Sequence, residues 1–164
     1  AVNQVEPSLI RIDADELTYC LHIMVRYEIE KKMIAGEVAV SELPALWAEL
    51  MKEYLGVEVP NDRDGILQDS HWSGGSIGYF PSYALGSAYA AQFIHRMEQD
   101  IPVYELVAQG DFQTINTWLD THIHQYGCFY SPAELFRRCC GEEFDPQYYL
   151  DYLTQKYTKI YRLS

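Results

Sequence analysis

From about Ala14 to Ala35 the chain runs without a proline or a glycine, and no other feature restricts its fold as firmly. Those two residues are the ones that break helices, so the stretch is suited to one long helix. Leu17, Leu21, Met24 and Val25 recur within it at helical spacing, and Gly36 follows as a residue that ends a helix. Similar punctuation continues downstream. Ser41 is placed to cap a second helix with Pro44 in its first turn, ending at Gly56. Pro81 opens a third through about Gln99. A shorter segment runs from Val103 to Ala108, ahead of Gly110, and Asp111 caps a helix reaching Tyr126, before Gly127. Ser131-Pro132-Ala133-Glu134 joins a capping box to a proline at the first helical position. Asp145-Pro146 starts a last helix that carries Tyr148, Tyr149, Tyr152, Tyr157 and Tyr161. The fold expected is all-α: one multi-helix domain over 1–164, without repeats or a linker.

Residues 57–78 stand apart. They carry Pro60, Asn61, Asp62, Asp64, Gly65, Gly74, Gly75 and Gly78, and read as a long loop or a short hairpin. A loop of that length inside a compact domain is usually functional. Its centre, Gly65-Ile66-Leu67-Gln68-Asp69-Ser70-His71-Trp72, places an amide, a carboxylate, an imidazole and an indole within five positions. Such residues are poor core material, because each buried polar group costs free energy unless it finds a partner.

Charge and cysteine content narrow the function classes. Twelve Lys and Arg against 24 Asp and Glu give a net charge of −12. Nucleic-acid affinity comes largely from basic residues neutralising phosphates, so that partner is disfavoured. An anionic membrane surface is disfavoured for the same reason, and no apolar run approaches a membrane span. Cys20, Cys128 and the adjacent Cys139-Cys140 do not make the dense framework of a small secreted scaffold. Ala1 to Pro7 lacks the apolar core of a signal peptide. A reduced, cytoplasmic setting is the expectation.

Candidate chemistry lies at two places. Near the start, Arg11 precedes the acids Asp13, Asp15 and Glu16. Its planar fork suits a substrate carboxylate, and equally suits pairing with neighbouring acids. In the loop, His71 is a donor or general acid near pH 7, with Asp69 or Gln68 to orient it; a buried, satisfied histidine is the alternative. Trp72, Tyr79 and Tyr83 are placed to wall a cleft, and either tyrosine has a phenol to offer a developing oxyanion. Packing is the competing role for aromatics at such spacing. The two-histidine zinc helix H-E-x-x-H is absent from the chain, as are a Gly-rich phosphate loop and a G-x-S-x-G elbow. His124 and Cys128 are spaced i, i+4, and with Cys139-Cys140 form a weak candidate zinc set.

Two long motifs add a resemblance. Ile10-Arg11-Ile12-Asp13-Ala14-Asp15 has the form I/V-R-x-x-A-D, extended by Glu16-Leu17-Thr18-Tyr19, and Gly65 through Trp72 has the form G-x-x-Q-D-x-H-W without departure. Gly78-Tyr79-Phe80-Pro81-Ser82-Tyr83 with Leu85-Gly86 follows, carrying Ser82 where the usual form has Thr. In these motifs the chain resembles the carboxypeptidase Taq family of zinc-dependent metallocarboxypeptidases, over nearly its whole length. The resemblance implies a helical peptidase that removes residues one at a time from peptide C-termini. It implies zinc or another divalent metal in the full-length enzyme, held by H-E-x-x-H and H-E-S/G-Q motifs that lie upstream of Ala1. The chain then reads as a C-terminal portion with no metal ligand of its own, inactive by itself.

By the same resemblance, Arg11 holds the substrate's terminal carboxylate, while His71 and Tyr79 line the groove and stabilise the tetrahedral intermediate. Gln68 and Asp69 orient them, and Trp72 and Tyr83 contribute to the groove wall. Peptides are the implied partners, with a homodimer as a further expectation. A non-catalytic helical scaffold and a small zinc module are the rival readings of the chain taken alone.

Overall fold

A computed structural model describes residues 2–163, and among these no strand occurs. The helices are α1 (Glu16–Ala35), α2 (Leu43–Leu55), α3 (Pro81–Met97), α4 (Val103–Gln109), α5 (Phe112–His122), α6 (Pro132–Cys140) and α7 (Gln147–Tyr161). Of the two forms expected for residues 57–78, the loop is the one adopted, as a succession of turns.

Caps explain most of the boundaries. Asp15 accepts from the backbone N–H groups of Leu17 and Thr18, each at 3.0 Å, and fixes the start of α1. Gly36 ends that helix in the left-handed conformation, with φ of 70°. At α2 the expected cap, Ser41, is displaced by its neighbour: Glu42 takes the N-cap position and its carboxylate reaches back to the Ala39 N–H at 2.7 Å. The longer side chain spans the 3₁₀ turn Val40–Glu42. Asp111 and Ser131 cap α5 and α6 as read from the sequence. α5 nevertheless stops at His122, because Ile123 leaves helical dihedrals (φ −131°, ψ −64°) and the chain tightens into the 3₁₀ turn His124–Tyr126.

The chain divides into two compact units, Ala1–Leu85 and Gly86–Ser164, with the boundary inside α3. In the first, Val25 and Ile29 of α1 pack with Leu43, Trp47, Leu50, Met51 and Leu55 of α2, and the loop adds Val57, Val59, Ile66 and Trp72. Burying each large apolar side chain stabilises by roughly 1.5–3 kcal/mol, so this cluster dominates the unit. Gly65 sits against it. A Cβ added there would lie 2.8 Å from Val59 Cγ1 and 3.1 Å from the Asn61 carbonyl oxygen. Gly65→Ala should therefore destabilise by about 1–3 kcal/mol through overpacking; an unchanged urea midpoint would show that the loop yields freely.

In the second unit Met97, Val103, Trp118 and Cys139 form the buried cluster, with Phe93, Ile101, Ile115 and Leu119 packed on it. Gln92 is buried and bridges chain segments: its Nε2 donates to the Glu143 carbonyl (3.1 Å), and its Oε1 accepts from the Asp145 N–H (2.9 Å).

Candidate functional site

The buried face of α1 is unusual for a helix that anchors a core. Thr18, His22, Arg26 and Glu30, spaced every fourth residue, all lie on it. That spacing stacks them in one stripe. Charges there must be paired, because an isolated buried ion is too costly to keep.

The Gly65–Trp72 loop supplies the pairing. Asp69 bridges two guanidinium groups. Its Oδ1 accepts from Arg11 Nη2 at 2.7 Å and Nε at 3.2 Å, and its Oδ2 from Arg26 Nη2 at 2.5 Å and Nε at 2.7 Å. Gln68 completes the set. Its Oε1 accepts from the Arg11 N–H (3.0 Å) and Arg26 Nη2 (2.9 Å), and its Nε2 donates to the carbonyls of Leu9 (3.0 Å) and Asp64 (3.1 Å). The remaining guanidinium nitrogens are also engaged: Arg26 Nη1 donates to the His22 carbonyl at 2.8 Å, and Arg11 Nη1 to the Tyr19 hydroxyl at 3.0 Å. Aromatic faces close over the cations, with Arg26 4.6 Å from the Trp47 ring centroid and Arg11 5.0 Å from that of Tyr83.

Opposing effects set the ionisation of this network. Burial alone would raise the Asp69 carboxyl, but the hydrogen bonds from Arg11 and the charge of Arg26 hold it below the usual carboxylate range. Burial dominates at Arg26 and lowers it to about 10, against the pull of Asp69. At Arg11 burial is outweighed by Asp69, and the group is raised. All three stay charged at neutral pH.

Trp72 belongs to the same construction. Its indole N–H donates to Glu30 Oε1 at 2.8 Å, an oxygen that also accepts from the Gly78 N–H at 3.1 Å. Its ring meets Trp47 edge-on, with centroids 6.1 Å apart.

His71 stands at the edge of the network. Its Nε2 lies 3.0 Å from the Tyr83 hydroxyl, and its Nδ1 3.8 Å from Asp69 Oδ1. That Nδ1 is buried and has no hydrogen-bond partner among the described residues. The ring lies 4.4 Å from Phe80 and stacks on Tyr79 at 5.9 Å. Tyr79 itself is 52% exposed. Outermost, then, are an imidazole and two phenols, groups able to donate hydrogen bonds to developing negative charge.

Every site residue expected from the sequence falls into this one assembly: Arg11, Gln68 and Asp69 in its ionic centre, Trp72 on Glu30, and His71, Tyr79 and Tyr83 on its open edge. The sequence reading missed Arg26 and Glu30, which hold Asp69 and Trp72 in place. Among the described residues no group of three or more His, Cys, Asp or Glu side chains could hold a metal ion, so His124, Cys128, Cys139 and Cys140 make no such site. Asp69, the carboxylate nearest His71, has both oxygens committed to arginines. These side chains do not fit a resident metal. None of the described helices is long and apolar enough to cross a membrane.

Residues 1–157 match the model of the carboxypeptidase Taq (M32) metallopeptidases. Carboxypeptidase 1 of Bacillus subtilis is 47% identical over 99% of the chain and 33% of its own length. Thermostable carboxypeptidase 1 of Thermus thermophilus is 45% identical over 98% of the chain and 32% of its own length. The crystal structure of an M32 carboxypeptidase from Deinococcus radiodurans R1 superposes with a TM-score of 0.96, at 41% identity, over 99% of the chain and 33% of that protein. The chain thus spans about a third of the length of these relatives. With residues 1–157 matched, it belongs to the carboxypeptidase Taq (M32) metallopeptidase family.

Proposed function

We propose that this chain is the C-terminal part of a metallocarboxypeptidase that releases residues from the C-termini of peptides. A divalent metal, zinc by family resemblance, would be held by residues outside it. Within the chain His71 carries the reading. Its ring is fixed by Tyr83 and Phe80, its Nδ1 lies near a carboxylate, and Tyr79 beside it is open to solvent. In this proposal His71 and Tyr79 are the catalytic groups, donating to the oxygen that gains charge as the peptide carbonyl is attacked. Tyr83 and Trp72 shape the groove wall.

For Arg11 the geometry favours a positioning role. Asp69 and Tyr19 engage all three of its guanidinium nitrogens, so a substrate carboxylate would have to displace one of them to be held there. Gln68 and Asp69 act through the same contacts. A reduced, cytoplasmic setting accords with the four cysteines, none of which forms a disulfide among the described residues, and a homodimer completes the reading by family resemblance.

The test uses the full-length protein on peptides with a free or an amidated C-terminus. Release should be confined to the free-carboxylate peptide and abolished by chelator. His71→Ala should lower kcat/KM by about 10²-fold or more, the usual consequence of removing one donor to a developing oxyanion. Metal content should be unchanged. Near-normal kinetics in His71→Ala would place the chemistry elsewhere. A large kcat/KM loss in Arg11→Ala without any loss of stability would return Arg11 to the substrate's carboxylate.

A further inference from the structure

The stripe on α1 buries one carboxylate of its own, Glu30, which is 4% exposed. Asp69 is matched by two guanidinium groups, whereas Glu30 meets only neutral donors, the Trp72 indole N–H and the Gly78 N–H, both on Oε1. No basic side chain pairs with Glu30 among the described residues, and no hydrogen bond from them reaches Oε2. Lys31, the next residue, is turned to other partners: its ammonium stands 3.0 Å from Glu28 and 4.8 Å from the centroid of the Tyr27 ring. A buried carboxylate without a cation is costly to keep. A cation from outside the described chain would offset that cost.

Space for one lies alongside. Glu30 lines an open cavity of about 470 Å³, formed by the second half of α1 and the segment from Ile77 to Pro81. Its wall is otherwise largely apolar, with Tyr27, Ile34, Ala35, Ile77 and Pro81. The volume falls within the range of small-ligand sites, roughly 300–1,000 Å³, and so does the pattern of an apolar wall with one charged group to orient the ligand. A lone basic side chain of another protein would leave much of that volume empty. A second copy of this chain, with its net charge of −12, would be repelled.

The geometry points to this cavity as a binding site for a small organic ammonium ion with an apolar body, of the arylalkylamine type. The ammonium donates to Glu30 Oε2, and the body lies against Tyr27, Ile34 and Ile77. Because Oε1 of the same carboxylate holds Trp72 and Gly78, occupancy is felt at the Trp72 indole.

Phenethylamine is the probe, with phenethyl alcohol as its uncharged counterpart. Each is titrated at neutral pH into ¹⁵N-labelled protein and read at the three tryptophan indole N–H signals, with Trp72→Phe to assign the one that matters. The Trp72 signal should move saturably, and the amine should bind roughly tenfold or more tighter than the alcohol, as expected of a hydrogen bond to a charged group. Glu30→Gln keeps an acceptor for Trp72 and Gly78 but removes the charge, so it should weaken the amine by a similar factor and leave the alcohol unchanged. Ala35→Trp, at an exposed position on the rim, fills the cavity and should abolish binding of both, which keeps the test valid even if Glu30→Gln fails to fold. Equal affinity for amine and alcohol, undiminished amine binding in either variant, or no saturable shift at Trp72 would overturn the proposal. So would binding to 1–164 that disappears in the full-length protein, since the rest of the polypeptide would then already cover the cavity.

Discussion

Asp69→Ala should destabilise the first unit by about 3–5 kcal/mol, the usual effect of removing one partner from a buried ion pair. The carboxylate stands between two cations, Arg26 with a fully buried side chain and Arg11 with one only 8% exposed. Without it their repulsion goes uncompensated, and five hydrogen bonds lose their acceptor. Gln68 offers a single neutral oxygen in its place. Asp69→Asn keeps an acceptor but not the charge, so it should recover only part of the loss. Removing Arg11 as well should relieve the repulsion. The Arg11→Ala/Asp69→Ala double variant should accordingly lose less than the sum of the single changes, since residues in contact are not additive. Urea unfolding at neutral pH measures all three. A loss below about 1 kcal/mol in Asp69→Ala would mean that the arginines find water or other acceptors, and that the network does not organise this unit.

The same network shows where sequence reasoning reaches and where it stops. Gln68, Asp69, His71 and Trp72 stood out because so many hydrogen-bonding groups in a loop cannot be ordinary core. Their partners did not stand out. Arg11 and Asp69 are 58 residues apart, and Arg26 and Asp69 43, distances over which a single sequence carries no pairing signal. The face of α1 that holds the site was obscured by the usual criterion of apolar periodicity. Leu17 and Met24, which contribute to that periodicity, are 37% and 43% exposed, whereas His22 and Arg26 are fully buried. A signal was present in Thr18, His22, Arg26 and Glu30 at a constant spacing of four, visible once polar residues are allowed to define a buried stripe. Local errors have local causes. Ser41 was passed over because a glutamate beside it reached the same turn, and α5 ended early at Ile123. The family resemblance was legible because both motifs lie outside the packed helices, one leading into α1 and one in the loop between α2 and α3, and carry residues of the ion network.

Stability should fall as the pH is lowered from about 6.5 towards 4, and His22 is the reason. Its side chain is fully buried on α1, and neither ring nitrogen has a hydrogen-bond partner among the described residues. Burial, followed by the charges of Arg26 and Arg11, pushes the imidazole down to about 4, with Asp15 and Asp69 opposing more weakly. The sign follows from linkage. Below about 6.5 the unfolded chain takes up a proton on this histidine that the folded chain refuses, so unfolding gains until the folded pKa is reached. At about 1.4 kcal/mol for each tenfold difference in proton affinity, the loss completed by pH 4 is about 3 kcal/mol. Below that, Asp69 takes over. Its folded-state pKa lies under the ordinary 3.8, so the stability it contributes disappears as the pH falls further, when the carboxylate that neutralises Arg11 and Arg26 protonates. His22→Leu, close in volume, removes the titration and two unsatisfied nitrogens. It should flatten the profile between 6.5 and 4 while leaving the fall below 4 in place. Urea midpoints at half-unit pH steps distinguish the two regimes. An unchanged slope in His22→Leu would assign the acid sensitivity to carboxylates elsewhere in the chain.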